Sequence, residues 1–329
     1  MYITFSETLT GFNRKILSVE EKVYTFAKKR KQLNINNLII MITNYDTNIV
    51  YFAEGLKHVK YVDMTSRVVE HLHHNRMAWG FLPQSASPLH IWARDYMPVQ
   101  VSKDKFVLFR YDPDYLKDYP EYKPDTSAIL SELGIQVMRS DIILDGGNII
   151  SCGDKVIMTD KIIKENPHYD RNTLIDTISS LLEAEIVLIP QDSYEEYGHS
   201  DGMVRYMGNG HVLLNNYCDV DKALRKRLLS ALQPHFDITE LHYGTYTDRS
   251  WAYLNFLHVG QHLFIPMTDD KLGTKAVQQI ADAFPECECH RIWGCESLVD
   301  DGGALNCSTW NILVDLPKEE ESKELPETI

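Results

Sequence analysis

No uninterrupted apolar run of about eighteen residues occurs in this 329-residue sequence, so a membrane-spanning helix is not expected. There is no Gly-x-Gly-x-x-Gly and no phosphate-binding loop, which leaves nucleotide chemistry without support. Positive charge is scarce: 33 Lys and Arg stand against 47 Asp and Glu, a net charge of −14. Phosphate backbones need a basic face, so no nucleic-acid partner is expected. Cysteine is sparse as well. Six residues, at 152, 218, 287, 289, 295 and 307, are spread without the spacing of a disulfide framework. The opening MYITFSETLTGFNRK has no basic segment leading into an apolar core. A signal peptide is therefore not expected, and the reducing cytoplasm is the expected compartment. Common metal motifs are missing too. His71-Leu-His73-His74 would point its imidazoles in different directions on a short helix. Cys287-Glu-Cys289-His290 with Cys295 fits no usual zinc spacing. Neither a metal nor a cofactor is expected.

What is present is an ordinary globular mixture, 44% hydrophobic and 24% charged, enough for a large core. Residues 1–36 read as a helical lead-in, with a capping box at Ser18-Val-Glu-Glu21. Residues 37–316 read as one α/β domain, and 317–329 as a solvated acidic tail. Within the domain, strands are expected at 38–42, 106–111, 142–150, 156–163, 186–189, 203–207, 211–215, 252–259, 262–266 and 290–293. Helices are expected at 126–133, 172–183, 221–232 and 270–283. Gly208-Asn209-Gly210 marks a hairpin turn.

The order strand, turn, strand, helix, strand recurs. Markers taken at the head of each hairpin, Asp95, Gly146, His199, Asn255 and Cys307, are separated by 51, 53, 56 and 52 residues. So regular a period signals an internal repeat of the kind that builds rings. In a ring, equivalent positions of successive units meet near one axis. An open α/β sheet with similar spacing is the alternative.

Five short segments sit at those positions: Trp92-Ala-Arg-Asp95, Asp145-Gly-Gly-Asn148, Gly198-His-Ser-Asp201, Tyr253-Leu-Asn255-Phe and Gly302-Gly-Ala-Leu-Asn-Cys307. Singly, each is commonplace: a structural ion pair, a turn, a polar network or a packed thiol. Together they bring a thiol, an imidazole and several carboxylates toward one axis. Two aspartates can grip the edges of a planar, cationic guanidinium with bidentate, charge-assisted hydrogen bonds. A thiolate positioned beside its carbon would lower the barrier to attack.

In these motifs and their order the chain resembles the agmatine deiminase and Porphyromonas-type peptidylarginine deiminase family of guanidine-modifying enzymes. The resemblance runs from about Leu38 to Asp315. It implies a five-bladed, pseudo-symmetric α/β propeller of ββαβ units with the site on its axis. It implies Cys307 as nucleophile, His199 as general acid and base, and Asp95 and Asp201 as the guanidinium clamp. Asp145 stands where many relatives carry a glutamate that orients the histidine, one methylene longer. Asn255 matches a supporting asparagine. Trp92, Arg110 and Asp112 complete the candidate substrate contacts. In the segment Phe109–Asp114, Asp112 or Asp114 would suit a distal amine and Arg110 a carboxylate; a solvated turn is the plain alternative.

The expected reaction is hydrolysis of a guanidinium to a ureido product and ammonia through a thiouronium-type intermediate on Cys307. The expected partner is a small cationic guanidino compound such as agmatine, which would connect the chain to putrescine and polyamine biosynthesis. Peptidylarginine or free arginine is the alternative substrate, and self-association into a homo-oligomer is left open. The rival readings are an amidinotransferase or dimethylarginine hydrolase, a cysteine peptidase using Cys307, His199 and Asn255, and a non-catalytic binding protein.

Overall fold

The computed structural model describes residues 40–83, 90–193, 197–245, 247 and 249–316. The expected lead-in and acidic tail lie outside the described residues, as do Leu38 and Ile39.

The described residues form a mixed α/β fold with five separate three-stranded sheets. β1 (Ile49–Phe52) and β2 (Ala78–Phe81) run parallel, joined through the helix Val62–His74. β3 (Val99–Ser102), β4 (Lys105–Arg110) and β5 (Met138–Ile143) form the second sheet. β6 (Ile150–Ser151), β7 (Lys155–Thr159) and β8 (Glu185–Ile189) form the third. β9 (Val204–Gly208), β10 (His211–Leu214) and β11 (Asp237–Glu240) form the fourth. β12 (Leu257–Val259), β13 (His262–Met267) and β14 (Glu288–Trp293) form the fifth. In each of these four the first pair is antiparallel and the second parallel. β15 (Thr309–Ile312) pairs antiparallel with β1, matching Ile312 to Ile49. The first sheet thus has the same internal order, but takes one strand from the far end of the chain.

A parallel pair needs a crossover, and helices supply it. Each of the other four sheets has one capped by aspartate. Asp125, Asp170, Asp221 and Asp269 accept backbone N–H groups of Thr126–Leu133, Arg171–Leu182, Lys222–Leu232 and Asp270–Ala283. Such caps contribute roughly 1 kcal/mol apiece. Apolar residues at helical spacing fix which face turns inward: Leu174, Ile178 and Leu182 on one helix, Leu224, Leu228 and Leu232 on another, all buried. β4 buries Phe106, Val107, Leu108 and Phe109 in succession, because both of its faces are covered.

Several expectations need correction. The strand expected at 142–150 is two strands divided by a one-turn helix, Gly146–Asn148. Asn166 ends the first of them: its side chain accepts from Ile143 N at 2.9 Å and donates to Ile143 O at 2.8 Å, replacing a strand partner. The strand expected at 252–259 starts as a 3-10 turn, Ser250–Tyr253, and becomes strand only at Leu257. Burial all round gives that segment no alternation to read. The strand expected at 156–163 ends at Thr159 and gives way to the short helix Lys161–Glu165. Met41 N donates to Gly153 O and Ile42 N to Val101 O, so the described part of 38–42 ties two sheets together without joining either ladder. The Gly208-Asn209-Gly210 hairpin forms as expected, with φ of 91°, 52° and 76°.

Candidate active site

The five marker segments lie just before the first antiparallel strand of each sheet, where the chain turns and side chains are free of the ladder. Neighbouring segments touch in circular order, except that the third reaches the fourth through Arg205 of the strand that follows it. Arg94 N donates to Cys307 O at 3.0 Å, and Gly147 N to Asp95 Oδ1 at 2.9 Å. Asp201 N donates to Gly147 O at 3.1 Å, Arg205 Nη2 to Phe256 O at 2.9 Å, and Asn306 N to Asn255 O at 3.1 Å. Residues about fifty positions apart are therefore direct neighbours.

Four of the five segments, all but Asp145–Asn148, line one cavity of about 510 Å³. Cys307 Sγ is 3.4 Å from Asp201 Oδ2 and 3.3 Å from Asn255 Oδ1. Asn255 Oδ1 also accepts from Cys307 N at 3.3 Å, and Asn306 Nδ2 donates to Asp201 Oδ2 at 2.7 Å. His199 Nε2 donates to Asp145 Oδ2 at 2.8 Å, while Nδ1 lies 3.7 Å from Asp95 Oδ1. Asp145, although one methylene shorter than a glutamate, reaches the imidazole. Tyr115 O–H, donating to the same Asp145 oxygen at 3.0 Å, completes that support. A glycine is required at 147, because a Cβ there would stand 2.6 Å from Asp95 Oδ1 and 2.7 Å from His199 Nδ1.

Burial and mutual charge set the proton positions. Burial pushes the Asp95 carboxyl up to about 7; the His199 charge opposes the rise, and Asp145 and Asp201 add to it. Burial alone would lower His199, but Asp95 and the hydrogen bond to Asp145 outweigh it and raise the imidazole to about 10. Burial, then Asp201 and Asp95, hold the Cys307 thiol well above its ordinary value. At neutral pH the unliganded site therefore combines a protonated imidazole with a protonated thiol. Burial lowers the pKa of both Arg94 and Arg205, Arg205 to about 10, yet both remain cations at neutral pH near Asp201 and Cys307.

Of the residues singled out in the sequence, Cys307, His199, Asp95, Asp201, Asn255 and Trp92 line the cavity, and Asp145 stands behind His199. Arg110 and Asp112 do not. Arg110 pairs with Asp112, which also pairs with Lys123, and the Arg110 side chain is 59% exposed. Arg110 is the last residue of β4, where the burial that covers Phe106 to Phe109 ends. The same stretch does supply lining residues that sequence reading missed: Tyr115, Tyr119 and Tyr122. Their spacing with Tyr111, four, four and three residues, was the available signal. Tyr197, Trp251 and Asp301 complete the wall, and Asp301 accepts from Lys60 Nζ at 2.6 Å and Tyr61 O–H at 2.5 Å.

A mixed α/β frame with a thiol, an imidazole and acids on one cavity is consistent with the class that the family match gives, the guanidino-group deiminases, hydrolases acting on C–N bonds. More narrowly, the profile of the Porphyromonas-type peptidyl-arginine deiminase family matches residues 17–312, and the chain belongs to that family. A curated Vibrio parahaemolyticus protein with the provisional name agmatine deiminase is 23% identical over 270 residues, covering 67% of this chain and 75% of that one. Among solved structures, the C. jejuni agmatine deiminase has a TM-score of 0.67 at 15% identity, covering 84% of this chain and 97% of its own. The Enterococcus faecalis agmatine deiminase has a TM-score of 0.66 at 14% identity, covering 84% and 97%. These likenesses fix the fold. Among the described residues, no helix is long and apolar enough to cross a membrane.

Proposed function

We propose that the chain is an agmatine-type deiminase using Cys307 as a covalent nucleophile, on one domain whose five sheets stand as blades around a common axis. The observation that carries the reading is the meeting of Cys307, Asp201, Asp95 and His199, from three segments about a hundred residues apart, on one cavity. The circular order of contacts between the five marker segments supports the ring.

Asp95 and Asp201 hold the guanidinium through charge-assisted bonds and so bring its carbon to Sγ. The bound cation offsets the two acids that, with burial, keep the thiol protonated, so the thiolate forms as substrate arrives and its proton passes to solvent. Sulfur attacks the carbon to give a tetrahedral adduct. His199, held at Nε2 by Asp145, gives a proton to the departing nitrogen, and ammonia leaves. The resulting thiouronium is attacked by water, whose proton His199 takes. The ureido product is released and the thiol restored.

The cavity wall supports agmatine over arginine. Its described residues include three carboxylates, Asp95, Asp201 and Asp301, and no Arg or Lys to receive a substrate carboxylate. Trp92, Tyr115, Tyr119, Tyr122, Tyr197 and Trp251 suit a methylene chain ending in an ammonium. Colorimetric detection of ureido product, with ammonia release, from agmatine, arginine and an arginyl peptide tests this. Agmatine should exceed arginine at least tenfold in kcat/KM. Preference for arginine, or silence on all three, would overturn it; ureido product without ammonia would mean that the alkylamine leaves in place of ammonia, which also contradicts it.

A further inference from the structure

The two histidine-bearing stretches that fit no metal motif in the sequence meet in space. β13 and β14 run parallel with His262 opposite Glu288 and Phe264 opposite His290. Side chains alternate across a sheet, so His262, Phe264, Glu288 and His290 share one face. That face carries the helix Val62–His74, whose His71 ring centroid lies 4.8 Å from that of His290. Alternation also divides the Cys287-Glu-Cys289-His290 tract. Cys287 and Cys289 pack on the core of the opposite face, with Leu263 and Ile265.

His262 Nδ1 and His290 Nε2 are 3.1 Å apart, and Glu288 Oε2 is 3.8 Å from the same His262 nitrogen. One donor atom from each of the three lies within 4.8 Å of the others. Two imidazole nitrogens bound to one tetrahedral ion at about 2.0–2.1 Å would stand about 3.3 Å apart, so the present spacing needs only slight opening. Access comes from the Glu288 side, where the side chain is 62% exposed while His290 is 5% exposed.

We propose that His262, His290 and Glu288 form a site for a divalent transition-metal ion of the zinc class, supported at His290 by the His71 ring of the helix. Imidazole and carboxylate suit such ions, and the ion would pin β13 to β14 under the helix Val62–His74. The site is separate from the cavity that holds Cys307, none of its residues being among that cavity's lining.

Equilibrium dialysis of the full chain against Zn²⁺ at pH 7.5, with elemental quantification, tests the proposal. Thiols are a competing source of binding, so the reference protein carries C307S. One equivalent of Zn²⁺ is expected in C307S. It should be lost when H262N and H290N are added, and retained when C218S and H242A are added to break the other thiol-imidazole cluster. Equal zinc content with and without the two asparagines would overturn the proposal, as would absence of zinc from the reference. Should the double asparagine variant fail to fold, E288A on the exposed carboxylate gives the reading. Its affinity should fall at least tenfold, and unchanged affinity would also overturn the site.

Discussion

At the scale of single residues, proton placement governs the chemistry. Asp95 must be charged to hold a cation and His199 must be protonated to release ammonia. As pH rises through about 7, Asp95 loses its proton and kcat/KM should increase; through about 10, His199 loses its proton and kcat/KM should fall. Asp145→Asn removes part of what holds both His199 and Asp95 up, so the upper limb should move below about 10 and the lower limb below about 7. A pH–rate series on wild type and variant checks both shifts. Asp95→Asn and Asp201→Asn should each lower kcat/KM by about 10- to 100-fold or more, the cost of one charge-assisted contact. Much of this constellation was legible in the sequence. Cys307, His199, Asp95, Asp201 and Asn255 were readable because a near-constant period pointed to equivalent turns. The aromatic wall was not, since Tyr115 and Tyr197 reach the cavity from connecting segments that obey no period. Arg110 was misread because a charged residue beside a motif-rich turn says nothing about which face of its strand it occupies.

Element by element, the helices were the most legible feature. Thr126–Leu133 and Asp270–Ala283 appear with the expected bounds, because an aspartate cap and a 3.6-residue apolar period mark start and face together. The strands at 142–150 and 252–259 were misread for the opposite reason: the site turns inside them are as buried as the strands they interrupt, and apolar residues flank them on both sides. Those turns are tightly specified. Gly147→Ala would drive a methyl into Asp95 and His199, and a loss of turnover above tenfold is expected with the secondary structure retained; steady-state kinetics beside circular dichroism checks it. Away from the site, Leu228→Ala on Lys222–Leu232 should cost about 2–5 kcal/mol in chemical denaturation, the penalty of a buried cavity. Its kcat should remain near that of wild type.

For the whole molecule, the return of β15 to β1 joins the two ends of the described chain in one sheet. Trp310 on β15 also donates from Nε1 to Pro98 O at 2.8 Å and packs near Tyr51 and Phe106, linking the first and second sheets. Trp310→Ala should therefore lower stability by about 3–5 kcal/mol, with unfolding still a single transition if the five sheets act as one unit. Two separate transitions would contradict a single domain. The sequence repeat made five marker turns legible, yet β1 and β2, which complete the sheet headed by Cys307, escaped notice. The antiparallel partner of β1 lies some 260 residues away in the chain, so no local hairpin signals it.

The account depends most on covalent chemistry at Cys307. Enzyme turning over agmatine should be quenched in acid and the peptide containing residue 307 analysed by mass spectrometry. An adduct equal to agmatine less ammonia on Cys307, absent from Cys307→Ala together with all turnover, is the predicted result. Continued release of ureido product by Cys307→Ala would contradict it.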